Sequence, residues 1–289
     1  MQMSDINGVE ISRFGLGTKR LPTEDSSRVI HMDQVKAQCI SDACVDRGVN
    51  LFETSYSNHK GEAEAFLGKY TSRCDGRLYT CTSYFEMVDP RYEYVFQKQL
   101  KKLERQNIDF YFIEGVTDMN KEVNIASGAV DYFFERKEAG EISQLGFSSE
   151  LDPANLEDFL GRYPWDFVRM RINYHDWFVK GVKECYEVAA SAGIPIMAHG
   201  ALRVGPSGRI KDEALAILKE ADPQRTSVDW ALRFVKSLDA VKAVTTNVYS
   251  EQQAIEDIAV FCDDAILDDR GFDVLRDVAQ AQRTRRPGA

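Results

Sequence analysis

Eight times along this 289-residue chain a short apolar run is followed by a longer amphipathic stretch. That alternation constrains the fold more than any other feature, because a strand–helix repeat specifies parallel strands joined by crossover helices. Candidate strands end near Gly17, Thr54, Ser83, Glu114, Ser148, Asn173, Ala201 and Thr246. The predicted helices run roughly over 33–47, 61–69, 91–104, 128–138, 152–161, 179–192, 227–237 and 250–261. The runs Val49-Asn50-Leu51-Phe52 and Asp109-Phe110-Tyr111-Phe112-Ile113 are mostly apolar, as strands covered on both faces must be. Asp152-Pro153 reads as an N-cap followed by a first-turn proline, and Gly140 and Gly193 stand where helices close. Eight such units close most economically into a (β/α)8 TIM barrel of the α/β class. An open doubly wound sheet is the runner-up. It lacks support because Gly15-Leu16-Gly17-Thr18 has neither the third glycine nor the following helix of a dinucleotide-binding turn.

A barrel of this length is one domain, 1–289. Two segments stand outside the repeat. The stretch 203–221 is longer than a usual strand–helix connection, carries a helix of its own and is expected to lie over the mouth. The tail 263–289 carries a last helix. A net charge of −10 argues against a nucleic-acid partner, and Arg283-Thr284-Arg285-Arg286 is too short to reverse it. No signal-like segment opens the chain and no apolar run is long enough to cross a bilayer, so a cytoplasmic protein with no membrane partner is expected. The six cysteines are scattered without a Cys-x-x-Cys pair, which suits reduced thiols and gives no metal-ligand spacing.

The segment from Phe52 to Gly68 reads F-E-T-S-Y-S-N-H-K-G-E-A-E-A-F-L-G. It resembles the second strand–loop–helix of the aldo-keto reductases, F-D-T-A-x-x-Y-x-x-G-x-S-E-x-x-L-G. The resemblance continues in Gln99-Leu100-Lys101-Lys102-Leu103, Ile108 to Ile113, Leu145-Gly146-Phe147-Ser148, Gly193-Ile194-Pro195 and Trp230-Ala231-Leu232-Arg233. It covers about 11–282 and is nearest the subgroup that often bears a C-terminal iron–sulfur extension. The cysteines of that extension are missing, so no iron–sulfur cluster is expected. The resemblance implies an NADP-dependent carbonyl reductase in which a Tyr gives the proton, helped by Lys, His and Asp. At those four positions stand Asn58, Ser83, Glu114 and Glu53. At the implied cofactor positions, Ser148 is kept. Arg169 replaces the amide-holding Gln, Ser149 an Asn, and Asp257 the Asn near the adenine. His199 takes the stacking position, Asn247 and Gln253 the places of the basic residues for the 2′-phosphate, and Arg203 remains for phosphate.

Read as chemistry, these replacements leave little of a reductase. The Asn58 amide orients a ligand but delivers no proton. Tyr56 and Tyr84 are nearby phenols, for which packing is the simpler role. Glu53 and Glu114 end strands two and four, so both are expected at the C-terminal mouth. Two approaching carboxylates cannot both ionise freely, which would make one a candidate acid or base. Against that, Arg169 and Arg171 alternate on strand six, are both expected to point inward, and need carboxylate partners. An ion-pair network is favoured over catalytic use of both acids. His31, His59, His175 and His199 have no spacing that fixes a metal site, so no metal is expected. Lys19, Arg20, Arg169, Arg171 and Arg203 form a positive cluster in an acidic chain, which points to a small anionic ligand. The favoured expectation is proton-transfer chemistry of isomerase, lyase or dehydratase type on that ligand. The alternatives are an NAD(P)H oxidoreductase with a relocated donor, and an inactive binding homologue, either homo-oligomeric or in complex with an active relative.

Overall fold

In the computed structural model, residues 1–24, 31–74, 76–203 and 209–283 are described. Ten strands appear. β1 (Met3–Ile6) and β2 (Val9–Ser12) form an antiparallel hairpin. The remaining eight are β3 (Phe14–Gly17), β4 (Leu51–Glu53), β5 (Tyr79–Tyr84), β6 (Ile108–Thr117), β7 (Ile142–Glu150), β8 (Phe167–Arg171), β9 (Ile196–His199) and β10 (Val241–Asn247). They run parallel in chain order and close between β10 and β3 into the expected barrel.

Four of the crossover helices begin at a side-chain cap. Asp33, Asp152, Thr226 and Ser250 each accept a backbone N–H three residues on, which satisfies one of the amides that a helix start leaves unpaired. The eight crossover helices fall within a few residues of their predicted places. Short helices Lys121–Ala126 and Tyr174–Val179 are additional. Of the segment 203–221, Arg203 faces the mouth, 204–208 lie outside the described residues, and helix Asp212–Ala221 packs on the last helix, Asp269–Gln282. Among the described residues no helix is long and apolar enough to cross a membrane.

Strand side chains alternate between two cores. Phe14, Leu16, Phe52, Tyr111, Ile113, Phe147 and Val168 face the helix ring. Leu51, Cys81, Phe110, Phe112, Phe167, Met197 and Ala243 fill the barrel, joined at its lower end by Ile6 and Ile11 of the hairpin. That hairpin is a feature the eightfold repeat does not reveal. It turns at Asn7-Gly8, both left-handed, the pairing that a two-residue hairpin prefers. The barrel interior is packed closely enough that a β-carbon on Gly15 would stand 2.8 Å from Thr245 Cγ2. Side chains fill the barrel below its C-terminal mouth, where a cavity remains.

Candidate functional site

The mouth holds a cavity of about 350 Å³. Its floor is a salt bridge. Arg169 Nε and Nη2 donate to Glu53 Oε2 and Oε1 at 2.9 and 2.5 Å, and Thr245 Oγ1 donates to Glu53 Oε2 at 2.9 Å. β4 and β8 are four places apart in an eight-strand ring, so this pair spans the barrel. Both residues are 8% exposed. The guanidinium carbon also lies 5.0 Å from the centre of the Phe112 ring, a cation–π seat on the layer beneath. The attraction of Glu53 outweighs the desolvation of Arg169 and holds the guanidinium above its ordinary range.

Glu114 is placed differently. It sits where β6 slips register against β7, between Ile113 and Val116, and Gly115 beside it is left-handed at φ +70°. Asn120 Nδ2 fixes that bulge by donating to the Gly115 carbonyl at 2.9 Å. Bulges re-aim side chains, and this one sets Glu114 on the cavity wall. Ser83 Oγ donates to Glu114 Oε2 at 2.8 Å, and among the described residues no cation pairs with this carboxylate. Of the expected ion-pair network, Glu53 pairs with Arg169, whereas Glu114 takes the Ser83 hydroxyl in place of an arginine.

Lys19, Arg171, His199 and Arg203 also line the cavity. Arg171 does not point into the core as predicted. β8 ends at this residue, and its guanidinium reaches the rim, where Nη2 donates to Glu150 Oε1 at 2.9 Å. His199 makes no side-chain hydrogen bond to a described residue. Burial, then the charges of Arg169, Arg171 and Lys19, hold its imidazole well below the usual range, so it is neutral at pH 7. Asn247 Oδ1 accepts from the Lys19 amide at 3.1 Å. Asn58 lines the opposite wall and donates to Thr18 Oγ1 at 3.2 Å, while Thr18 Oγ1 donates to Thr54 at 2.9 Å. The loop that carries Asn58 turns through three left-handed residues, His59, Lys60 and Gly61.

The other sequence candidates do not line the cavity. Ser148 is buried in the β7 wall. Ser149 Oγ accepts the Leu151 amide at 3.3 Å. Gln253 Oε1 accepts the Tyr249 amide at 3.1 Å, and its own amide caps to Ser250 Oγ. His59 Nε2 faces the Thr18 carbonyl, and His175 lies buried beside Asp176, so the histidines do not gather. Among the described residues no cluster of three or more His, Cys, Asp or Glu is placed to hold a metal. Of the two phenols, Tyr84 is buried, donates to the Pro90 carbonyl and is pushed well above its usual range by burial. Tyr56 has a lysine after all, Lys102, but the ammonium sits 4.5 Å over the ring face and is paired with the buried Glu64. Desolvation leaves the Tyr56 phenol raised. Neither phenol is a good proton donor.

Asp257 also faces inward. Thr246, pointing outward from β10, donates to it at 3.2 Å. Burial drives its carboxyl up to about 7, and its place in the last turn of Glu251–Ala259 adds the unfavourable end of the helix dipole. Between the ordinary carboxylate range and about pH 7 the folded chain keeps a proton that the unfolded chain has lost, so stability falls as pH rises through that window. Asp257→Asn removes the slope and keeps an acceptor for Thr246. It is expected to melt higher than the native chain at pH 8, by a ceiling of about 4 kcal/mol, with the gap shrinking at pH 5. Equal gaps in thermal melts at the two pH values would contradict the inward, protonated carboxyl.

Against known proteins, the model of the Aldo/keto reductase family matches residues 13–273. No curated protein matches the chain by sequence. Solved structures give the same architecture. The holo form of an aldo-keto reductase from Bacillus halodurans is 20% identical, with 97% of each chain covered and a TM-score of 0.77. A glycerol dehydrogenase from Gluconobacter oxydans is 16% identical, covering 99% of this chain and 98% of its own, with a TM-score of 0.75. An aldo/keto reductase from Brucella melitensis is 16% identical over 96% and 99%, with a TM-score of 0.70. At these identities the likeness speaks for the fold alone.

Proposed function

This chain belongs to the aldo/keto reductase family, and on that premise we propose that it binds a small anionic molecule at the barrel mouth and moves a proton on it through Glu114. The observation that carries this reading is the contrast between the two carboxylates. Glu53 is consumed by a structural crossbar. Glu114 is aimed into the cavity by a bulge, with one hydroxyl partner and an unspent lone-pair face. A carboxylate so placed takes a proton from a C–H bond beside a carbonyl or carboxylate and returns it, which is the shared step of isomerases, lyases and dehydratases. Excess positive charge across the cavity favours the enolate-like anion that forms.

Members of this family typically use NADP(H), so the fit of that cofactor bears on the reading. Nε and Nη2 of Arg169 are engaged by Glu53, Ser149 and Gln253 bond local backbone, and Asp257 faces Thr246. The residues present do not fit a nicotinamide dinucleotide held in the family manner, and no step is routed through one. The oxidoreductase reading rests on family and fold, including the likeness to a glycerol dehydrogenase. It needs a proton donor that neither Tyr56 nor Tyr84 supplies.

The test is a screen of small carboxylates in deuterium oxide, with and without NADPH, read by mass spectrometry. Deuterium entering a carbon position without NADPH is the expected result. NADPH oxidation that requires a carbonyl compound and survives Glu114→Gln would sink the proposal.

A further inference from the structure

The cavity is not uniformly polar. Its wall divides by strand order into two halves. β8, β9, β10 and the loop after β3 are contiguous in the ring and carry Arg171, His199, Arg203, Asn247 and Lys19. β5 and β6 are adjacent on the other side, where β6 sets Glu114 on the wall with the buried Ser83 of β5 behind it as hydrogen-bond donor. The Glu53–Arg169 crossbar joins the two halves along the floor. A ligand in this cavity therefore meets the cationic side chains Lys19, Arg171 and Arg203 at one end and the Glu114 carboxylate at the other.

We infer that the mouth is shaped for a small polyhydroxylated acid, its anionic group against Lys19, Arg171 and Arg203 and its hydroxyl-bearing carbons against Glu114. Three observations support this. First, the lining holds four cationic side chains against two carboxylates, an excess of two positive charges, so a ligand with net negative charge completes it. Among the described residues neither Lys19 nor Arg203 has a carboxylate partner, and Arg171 shares one nitrogen with an exposed Glu150, itself half in solvent. Second, Glu114 offers acceptor capacity with no salt-bridge partner among the described residues, which a ligand hydroxyl satisfies by donating; the neutral His199 ring adds a donor and an acceptor. Third, only Phe85, Val88 and Phe112 among the fifteen lining residues are large and apolar, so an alkyl chain would gain little by burial here. The volume suits a molecule of three to six carbons, at roughly 30 Å³ per water-sized group.

This rests on the mouth being the working site, as proposed above, and the experiment separates the two claims by reading binding without turnover. The full chain is titrated by calorimetry at fixed ionic strength with glycerate, threonate and gluconate. Glycerol, threitol and sorbitol serve as controls without the charge, and propanoate, butanoate and hexanoate as controls without the hydroxyls. At least one hydroxy acid is expected to bind tenfold or more tightly than both of its matched controls. Arg171→Gln should weaken that acid at least tenfold. Glu114→Gln should bring the ratio of hydroxy acid to plain acid towards one. A plain acid or a polyol that binds as tightly as its hydroxy acid overturns the inference, as does the failure of all three hydroxy acids to bind at 20-fold molar excess in the millimolar range, about 10 mM, where even weak pockets hold ligands. A hydroxy acid that binds with the expected ratios yet never exchanges deuterium would remove the catalytic reading and leave this one standing.

Discussion

Arg169→Met is expected to destabilise the fold by about 3–5 kcal/mol, the usual cost of stripping one partner from a buried ion pair. The cause lies in what is left behind. Glu53 would keep the Thr245 hydroxyl and lose both charge-assisted bonds, yet remain a carboxylate 8% exposed above Phe110 and Phe112. Burying an uncompensated charge costs more than the pair ever contributed. In thermal melts this should lower Tm by roughly 5–10 °C for a domain of this size. Arg169→Lys should recover only part of the loss, because an ammonium cannot make the two parallel bonds of the fork or lie flat on Phe112. The double replacement Glu53→Leu with Arg169→Met should return stability to near native or above, since both desolvation costs vanish together. A single Arg169→Met that melts with the native chain would mean water reaches Glu53. The floor of the cavity would then be open rather than a crossbar.

How much of this was legible in the chain follows from what each signal measures. The barrel was legible because hydrophobic alternation reports burial directly: seven strand ends fell within two residues of their places, and β6 ran three residues past Glu114, through its bulge. That Arg169 needs a buried carboxylate was also legible, from its position mid-strand. Which carboxylate it takes follows only once the ring is closed, because β4 and β8 are opposite each other in space and far apart in sequence. Arg171 obeyed the same alternation and still escaped the core, since the strand stops there and a long side chain reaches Glu150 at the rim. The bulge under Glu114 left a faint trace, the glycine at 115, which a pattern of alternating residues reads as a strand end. Ser148, Gln253 and Asp257 occupy the positions that family likeness assigns to a cofactor, but position along the chain does not fix which neighbour a side chain turns to. Here Gln253 and Asp257 turn to the local backbone and to Thr246.

Glu114→Gln is the counterpart experiment, with the opposite profile. The amide keeps an oxygen for the Ser83 hydroxyl, fills the same volume and leaves no charge stranded, so the melting temperature should stay within about 1–2 °C of native. Catalysis should not survive. An amide takes up no proton near neutral pH, and loss of a positioned general base costs about 10²–10⁴-fold in rate. The loss should fall mainly on kcat, with KM raised by about the tenfold that the lost hydroxyl contacts are worth, because the anionic end of the ligand is still held from the other half of the ring, by Lys19, Arg171 and Arg203. Glu53→Gln separates this from a general effect of removing acid from the mouth. It strands Arg169 without its counter-charge and should therefore lower stability as well as activity. The pair of variants thus assigns the two carboxylates by different readouts, one kinetic and one thermal. Should Glu114→Gln exchange deuterium within twofold of native, the proton must pass through another group. His199 is a lining side chain that is neutral and, among the described residues, makes no side-chain hydrogen bond, so the catalytic assignment would move from β6 to β9.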